Sequence, residues 1–284
     1  MVESNWGDWF VSQEIEAVTP ESLSVWYMGC NSFVVRSSET TLYIDPYFGN
    51  GDPPWTIRMN PVAMDPDDAT ICDGVLVTHE HLDHMHPPSY RPILENTGAH
   101  LYTPRSGYRD PDYEGEIRGP DDRRHVVEHG SSIEFGDLTV HVRRTNDPDA
   151  IESVGYVIEH ESGTFFNAGD ARPGEEFEAI GEEFDIDDGT LAFGTRGHLY
   201  VPEDDCSRRV DWYQDEDQVV ESANQLQLDR LLPCHYDMWK NVEADPKGLH
   251  DHIASHPYPR TMDVIRVGDR INVGESGIVP LRSI

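Results

Sequence analysis

Residues 74–84 read GVLVTHEHLDH, in which an apolar run enriched in valine is followed at once by three imidazoles and two carboxylates. The run 74–78 predicts a buried strand. In α/β proteins, the ends of such strands border the crevice where chemistry takes place. Pro87 and Pro88 follow closely and favour a turn. A sharp turn would allow these closely spaced side chains to surround one point.

The polar side chains of residues 79–84 are of the types that bind hydrolytic metal ions. Imidazole and carboxylate are good ligands for zinc, manganese and iron, and together they suit a centre that keeps a water-derived ligand. The alternative is a histidine-rich surface tract that binds metal adventitiously. The position of the tract at a strand end disfavours that alternative.

Further runs with strand composition lie on both sides of this tract, and one helix is predicted after it. Residues 215–229 have apolar positions at helical spacing behind an acidic start, which predicts a helix. The acidic, proline-rich stretch 49–68 has no periodicity and predicts a long loop near the mouth of the site. The predicted strands are 23–28, 32–36, 41–45, 74–78, 138–145, 153–159, 164–170, 190–194 and 230–235. This order fits an α/β fold with two packed sheets and outer helices, in one domain over residues 1–284.

The chain is strongly acidic throughout its length. Its 21 Lys and Arg residues oppose 54 Asp and Glu, the net charge is −33, and Lys240 and Lys247 are its only lysines. Because such self-repulsion is tolerated best where salt screens it, we expect a cytoplasmic protein of a salt-accumulating, halophilic organism. The alternative is an acidic surface for a basic partner. Nucleic acid is an unfavourable ligand, because phosphate recognition depends on clustered Lys and Arg.

The sequence predicts no membrane segment and no disulfide framework. No apolar run approaches the roughly 20 residues that cross a bilayer, and the first ten residues lack the pattern of a secretory signal. The four cysteines are widely spaced, without a CxxC pair, and we expect most of them to be buried small hydrophobic side chains. They are Cys30, Cys72, Cys206 and Cys234.

The tract resembles the His-x-His-x-Asp-His metal-binding motif of the metallo-β-lactamase superfamily. Further family markers follow in the expected order: an early structural aspartate at a strand end, an aspartate that bridges two metals, and a last histidine ligand. Agreement in residue type, order and context at four separate points is more specific than any single match. The matching residues are His79, His81, Asp83, His84, Asp45, Asp170 and His235. The resemblance implies an αββα sandwich of two mixed β-sheets flanked by helices.

One branch of that superfamily, the L-ascorbate-6-phosphate lactonase-like proteins, is more similar still. The resemblance rests on Trp6 and Trp9 near the start, the segment from Trp26 to Cys30, and the stretch 235–239 followed by Ala-Asp-Pro at 244–246. It covers most of the chain, although residues 49–68 and 100–135 look divergent.

The sequence departs from the superfamily at one expected ligand. Where the superfamily has a histidine before the strand 153–159, this chain has Asn146, Asp147 and Pro148. As in the lactonase-like branch, Asp147 is the candidate substitute, although Asn-Asp-Pro is also a common turn. His198 is the other candidate imidazole, or else a loop residue in a substrate wall. An oxygen ligand in place of nitrogen is a harder Lewis base, so manganese is a candidate metal as well as zinc.

The resemblance implies two divalent metal ions, zinc or manganese, with a role for each ligand. His79 and His81 would hold one ion, Asp83, His84 and His235 the other, and Asp170 would bridge them. A hydroxide held by the metals would attack the carbonyl carbon of the substrate. Asp83 and His84 are the expected catalytic residues, with Asp83 accepting the proton of that hydroxide.

Three further residues are candidates for substrate contacts. Arg172 would anchor a substrate hydroxyl, carboxylate or phosphate, or would instead pair with Glu175 or Glu176. His198 and Tyr236 complete the group. Trp239 would stack on a sugar or lie in the core.

The resemblance implies hydrolysis of a small-molecule sugar lactone to its sugar acid. The candidates are an aldono-1,4-lactone such as a pentonolactone, and L-ascorbate 6-phosphate. The unphosphorylated ring is favoured because the sequence has no Gly-rich phosphate cradle and no arginine cluster. The alternative enzyme is a phosphodiesterase or RNA-processing nuclease of the same superfamily, which would need a basic face. A non-catalytic binding protein would be expected to have lost ligands. Related lactonases form oligomers, which implies a homo-oligomer here.

Overall fold

Two seven-stranded sheets form the centre of the molecule, in a computed structural model that describes residues 3–108, 123–194 and 196–281. The strands of the first sheet are β1 (Ser24–Gly29), β2 (Ser32–Arg36), β3 (Thr41–Ile44), β4 (Gly74–Leu76), β5 (His100–Thr103), β6 (Arg124–Val126) and β16 (Arg270–Asn272). They lie in the order β16-β1-β2-β3-β4-β5-β6. The strands β3 to β6 are parallel and the others are antiparallel, so the sheet is mixed.

The second sheet also contains both parallel and antiparallel strand pairs. Its strands are β7 (Ser132–Phe135), β8 (Leu138–Arg144), β9 (Val154–His160), β10 (Gly163–Asn167), β11 (Asp188–Ala192), β14 (Arg230–Cys234) and β15 (Thr261–Met262). They lie in the order β15-β14-β11-β10-β9-β8-β7. A separate two-stranded antiparallel ribbon pairs β12 (Arg196–Val201) with β13 (Cys206–Asp211).

Four α-helices accompany the sheets in the described part of the chain. They are α1 (Pro87–Thr97), α2 (Glu175–Glu183), α3 (Glu216–Gln225) and α4 (Pro246–Ile253). Shorter helical turns are Val11–Ile15, Pro66–Asp68, Arg105–Tyr108 and Pro202–Asp204. The helix α3 begins with a capping box in which the Asp215 carboxylate accepts from the Gln218 amide and the Gln218 side chain accepts from the Asp215 amide. Among the described residues, no helix combines the length and the apolar character needed to cross a bilayer.

Alternating side chains along the strands divide the core into two layers. Phe165 belongs to the cluster that also holds residues of the first sheet, whereas its neighbour Phe166 belongs to the cluster beneath α2, α3 and α4. Leu232 and Leu231 divide in the same way on β14. Successive strand residues face opposite sides of a sheet, so the second sheet packs against the first sheet on one face and against helices on the other. The α/β sandwich with two mixed sheets is confirmed.

The predicted elements agree with the structure in place but not always in extent. The predicted strand 32–36 is β2 without change, and the predicted strand 190–194 begins earlier, at Asp188. The helix predicted over 215–229 ends at Gln225, because Gln227 has a positive φ of 53° and turns the chain into β14. The loop 49–68 contains a short helical turn at its end and an isolated β-bridge from Arg58 to Trp239. The expectation of one domain over residues 1–284 stays a prediction.

A buried ion pair joins the second sheet to the edge of the first. The Arg230 guanidinium on β14 contacts the Asp188 carboxylate on β11, and both side chains are buried. Arg230 Nη2 also donates to the Asn272 carbonyl oxygen on β16, at 3.2 Å. The second carboxylate oxygen of Asp188 accepts from the Gly274 amide at 2.9 Å. The pair therefore satisfies backbone groups in and just after β16, at the edge of the first sheet.

We predict that Arg230→Met lowers the free energy of unfolding by about 3–5 kcal/mol, because it leaves the Asp188 carboxylate buried without its positively charged partner. Adding Asp188→Asn to that variant should restore part of the loss. Urea unfolding at a fixed KCl concentration measures both effects. Arg260→Met is the matched control, because Arg260 pairs with Asp229 in solvent and should cost at most about 1 kcal/mol. Equal losses in the two arginine variants would contradict the role of the buried pair.

Candidate metal centre

Strand ends from both sheets meet at one edge of the sandwich. Asp45 directly follows β3, His79 follows β4, and His235 directly follows β14. Asp170 follows β10 through Gly169, whose φ is 62°. A Cβ on Gly169 would lie 3.1 Å from the Cβ and Oγ1 atoms of Thr78. Glycine at this position therefore lets the loop after β10 approach the loop after β4.

The first group of candidate ligands consists of His79, His81 and Asp147. Their donor atoms lie within 4.8 Å of one another. Nε2 of His79 is 2.9 Å from Nδ1 of His81 and 3.6 Å from Oδ2 of Asp147. A turn brings the imidazoles together, since the His84 amide donates to the His81 carbonyl oxygen at 3.0 Å. Asp147, which the sequence offered either as a ligand or as a turn residue, thus lies beside two of the predicted ligands.

The second group consists of Asp83, His84, His235 and Cys30, whose donor atoms also lie within 4.8 Å of one another. Nε2 of His235 is 3.2 Å from Oδ2 of Asp83. The same nitrogen is 3.2 Å from Sγ of Cys30. The backbone of His235 is left-handed, with a φ of 66°. That bend turns its imidazole from the end of β14 towards the loop after β4.

Asp170 lies between the two groups. Its Oδ2 is 3.1 Å from Nε2 of His84 and 3.9 Å from Nε2 of His79. Its Oδ1 is 3.9 Å from Nε2 of His235. Oδ2 therefore lies near a member of each group and Oδ1 faces the second group, so this carboxylate can reach both.

Asp45 orients one of these imidazoles without touching the cavity. Its Oδ1 accepts from the Thr78 amide and its Oδ2 from the Thr78 hydroxyl, both at 2.7 Å. Oδ2 also accepts from Nδ1 of His84 at 2.8 Å. With Nδ1 committed to Asp45, Nε2 of His84 is the nitrogen directed at Asp170. A carboxylate behind an imidazole is a common means of fixing the tautomer of a metal-binding histidine.

The charges of the site are strongly coupled. Burial lowers the pKa of His84, but Asp170 and Asp45 outweigh burial and raise it well above its ordinary value. Burial raises the pKa of Asp170, but His84 and His235 outweigh burial and lower it to about 2. Burial and the charge of Asp170 raise the pKa of Asp147 to about 6. Protons and metal ions compete for such donor atoms, so a cation at this place would displace protons from the imidazoles.

Two buried carboxylate oxygens make the donor set fit a cation. In the described ranges, Oδ2 of Asp147 and Oδ1 of Asp170 are buried and accept no hydrogen bond. Leaving a buried acceptor unsatisfied costs free energy, more so when the group is charged. Mixed imidazole and carboxylate donors are those that zinc and manganese bind. The residues present therefore fit the divalent ions that the sequence implies.

A cavity of about 550 Å³ opens over the two groups. Its lining is partly aromatic and partly acidic. Trp55 and Trp212 meet edge to face with ring centroids 5.8 Å apart. The lining residues are Tyr47, Asp52, Trp55, Thr56, His81, Leu82, Asp83, Asp147, Asp149, Asp170, Trp212, Tyr213 and Trp239. The loop 49–68 thus reaches the mouth of the site, as predicted, and Trp239 faces the cavity.

The three predicted substrate residues do not line this cavity. Nη2 of Arg172 donates to the backbone carbonyl oxygens of Asp211 and Trp212, each at 3.1 Å, and lies 3.6 Å from Asp149. His198 is exposed on the ribbon strand β12. Tyr236 is buried in the cluster beneath the helices. Arg172 supports the cavity wall through the loop that carries Trp212, and the ion pair with Glu175 or Glu176 is absent from the described contacts.

Sequence reasoning missed several residues at the site. Most of the four cysteines were expected to be buried hydrophobic side chains, and Cys30 is fully buried, but its sulfur borders the second group. The Tyr213 hydroxyl lies 3.0 Å from Nε2 of His235. Trp55 and Trp212 form the aromatic wall. One sequence feature could have pointed to Cys30: it ends the segment from Trp26 to Cys30, which resembles the lactonase-like branch.

Comparison with known proteins agrees with this geometry. Residues 40–236 match the family model described as Beta-lactamase superfamily domain. The chain is 23% identical over 288 residues to the probable L-ascorbate-6-phosphate lactonase of Escherichia fergusonii, covering 86% of this chain and 78% of that protein. Its counterpart from Salmonella gallinarum is 22% identical, with the same coverage.

Solved structures share the fold at low sequence identity. A metallo hydrolase from the archaeon Ignicoccus hospitalis superposes with a TM-score of 0.64 at 19% identity, covering 88% of this chain and 97% of that one. An isothiocyanate hydrolase from Delia radicum gut bacteria superposes with a TM-score of 0.65 at 15% identity, covering 88% and 99%.

We predict that Asp45→Asn weakens zinc binding by about 10–100-fold, because the neutral amide holds the His84 imidazole less firmly in the required tautomer. Competition titration with a zinc chelator measures the affinity. Asp217→Asn, a change at an exposed aspartate, is the control and should leave the affinity unchanged. A folded Asp45→Asn protein with wild-type affinity would contradict the prediction.

Proposed function

The chain belongs to the metallo-β-lactamase superfamily, and we propose that it is a metal-dependent hydrolase that opens a sugar lactone to the sugar acid. The observation that carries this proposal is the pair of ligand groups on either side of Asp170, at the base of an aromatic-lined cavity. The names of the lactonase relatives support the substrate class.

The proposed ligands divide into two sets with a shared carboxylate. His79, His81 and Asp147 would hold one divalent ion, zinc or manganese, through the donor atoms described above. Asp83, His84 and His235 would hold the other, and Asp170 would reach both. Bound there, the ions would polarise the lactone carbonyl and lower the pKa of a water molecule from that of bulk water to about 7.

Asp83 is the residue that we assign to proton transfer. It lines the cavity, and its Oδ2 lies 3.2 Å from Nε2 of His235. Burial raises its pKa, but the hydrogen bond with His235 and the charge of His84 outweigh burial and hold the pKa well below its ordinary range. The carboxylate is therefore ionised at neutral pH, as a group that accepts the proton of the attacking water must be. Opening of the lactone would then return this proton to the ring oxygen that leaves.

The aromatic residues of the cavity lining suit the apolar face of a sugar ring. Trp55, Trp212 and Trp239 present large, rigid surfaces that exclude water, while Asp52 and Thr56 offer oxygens to sugar hydroxyls. Apolar walls with a few placed polar groups are typical of small-molecule sites. This combination supports a neutral carbohydrate substrate.

The charge of the cavity favours an unphosphorylated ring, such as a pentonolactone, over L-ascorbate 6-phosphate. Its lining includes the carboxylates of Asp52 and Asp149, and none of the described lining residues is Lys or Arg. A neutral lactone enters such a cavity without repulsion, whereas the anionic product is repelled and released. The same observation weighs against the phosphodiesterase or nuclease alternative, whose substrates are anionic.

We predict that the zinc- or manganese-loaded protein releases acid from aldono-1,4-lactones in concentrated KCl, and that chelation abolishes this activity. His84→Ala should lower kcat/KM by about 100-fold or more, because even a residue behind a metal ligand typically contributes 10–100-fold. A pH-stat records the acid. His198→Ala, which removes an exposed imidazole on the ribbon, is the matched control and should retain activity.

If no lactone releases acid while metal analysis shows occupied sites, the substrate assignment is contradicted. Hydrolysis of bis-(p-nitrophenyl) phosphate by the same preparation would then favour the phosphodiesterase alternative.

A further inference from the structure

The turn after β1 presents a cysteine to the second ligand group. Cys30 has a φ of 60°, and its side chain is fully buried. The Tyr27 hydroxyl donates to its carbonyl oxygen at 3.2 Å, which holds the turn from within the core. The sulfur is thereby fixed beside residues that follow strands of both sheets.

The sulfur lies at ligand distance from its neighbours. Sγ of Cys30 is 3.2 Å from Nε2 of His235 and 3.8 Å from Oδ2 of Asp83, and these two atoms are 3.2 Å apart. In a tetrahedral zinc site with Zn–S of about 2.3 Å and Zn–N or Zn–O of about 2.0–2.2 Å, neighbouring donor atoms are about 3.3–3.6 Å apart. The three measured separations bracket that range, so one ion can touch all three donors.

A second observation points to the same place. Oδ1 of Asp170 is buried, accepts no hydrogen bond in the described ranges, and lies 3.9 Å from Nε2 of His235. An unsatisfied carboxylate oxygen beside a thiol and an imidazole is a donor directed towards a cation. The other cysteines do not share this surrounding, since Cys72, Cys206 and Cys234 belong to none of the ligand groups in the described ranges.

We propose that Cys30 is a further protein ligand, bound as the thiolate, of the divalent ion held by Asp83, His84 and His235. This inference rests on the two-metal site of the proposed function. On binding, the thiol proton leaves to solvent and the sulfur forms a bond to the ion, so no redox step is involved.

The sulfur makes the two metal positions unequal. Thiolate favours zinc over manganese, whereas the group of His79, His81 and Asp147 has only nitrogen and oxygen donors. The position at Cys30 therefore selects zinc, and the position at Asp147 accepts zinc or manganese. A protein offered both metals would bind one of each kind.

The test is spectroscopic and does not depend on turnover. Metal-free protein is loaded with two equivalents of cobalt(II), and the near-ultraviolet thiolate-to-cobalt charge-transfer band is recorded. The wild type and Cys72→Ser, a control at another buried cysteine, should both show the band. Cys30→Ser should lose it and should bind one of the two equivalents about 10-fold or more weakly.

X-ray absorption of the zinc-loaded wild type provides a measurement that needs no variant. It should show sulfur at about 2.3 Å, at an average of one sulfur for two zinc ions. Two bound zinc ions with nitrogen and oxygen neighbours alone would overturn ligation by Cys30 and leave the two-metal proposal standing. Protein that binds neither zinc nor cobalt would overturn both. A charge-transfer band that persists in Cys30→Ser would also overturn the assignment.

Discussion

The site depends on a buried carboxylate, Asp170, whose charge the fold must compensate. Ionised carboxylates are costly to bury unless positive or hydrogen-bonding partners surround them. Here His79 and His84 come from the loop after a strand of the first sheet, and His235 comes from the end of a strand in the second. These imidazoles approach the carboxylate from both sheets. The packing of the two sheets thus brings together the imidazoles that compensate the charge of Asp170.

Which residues meet at the centre could be predicted from the sequence better than which residues surround it. Ligand identity and order are local properties, since a strand followed by closely spaced imidazoles defines the loop of His79 to His84. The positions of Asp170 and His235 followed from family resemblance and from strands that end directly before them. Asp147 could only be offered as one of two alternatives, because its distance from His79 depends on how the loop after β8, in the second sheet, lies against the loop after β4, in the first.

Contacts between segments that are far apart in sequence were beyond such reasoning. Cys30 and His235 are 205 residues apart and meet only because both sheets end at the same edge. Arg172 was offered as a substrate anchor or as the partner of Glu175 or Glu176, and carbonyl oxygens at the end of β13 bind its guanidinium. No local sequence pattern predicts this contact between a guanidinium and backbone carbonyl oxygens. The aromatic wall of Trp55 and Trp212 likewise joins two loops that have no shared sequence signal.

Anomalous diffraction from crystals of the zinc-loaded protein, recorded at the zinc absorption edge, tests the two-metal centre most directly. The account predicts two peaks about 3.5–4 Å apart, one beside His79, His81 and Asp147 and one beside Asp83 and His235, with the Asp170 carboxylate between them. A single peak, or peaks away from Asp170, would contradict it.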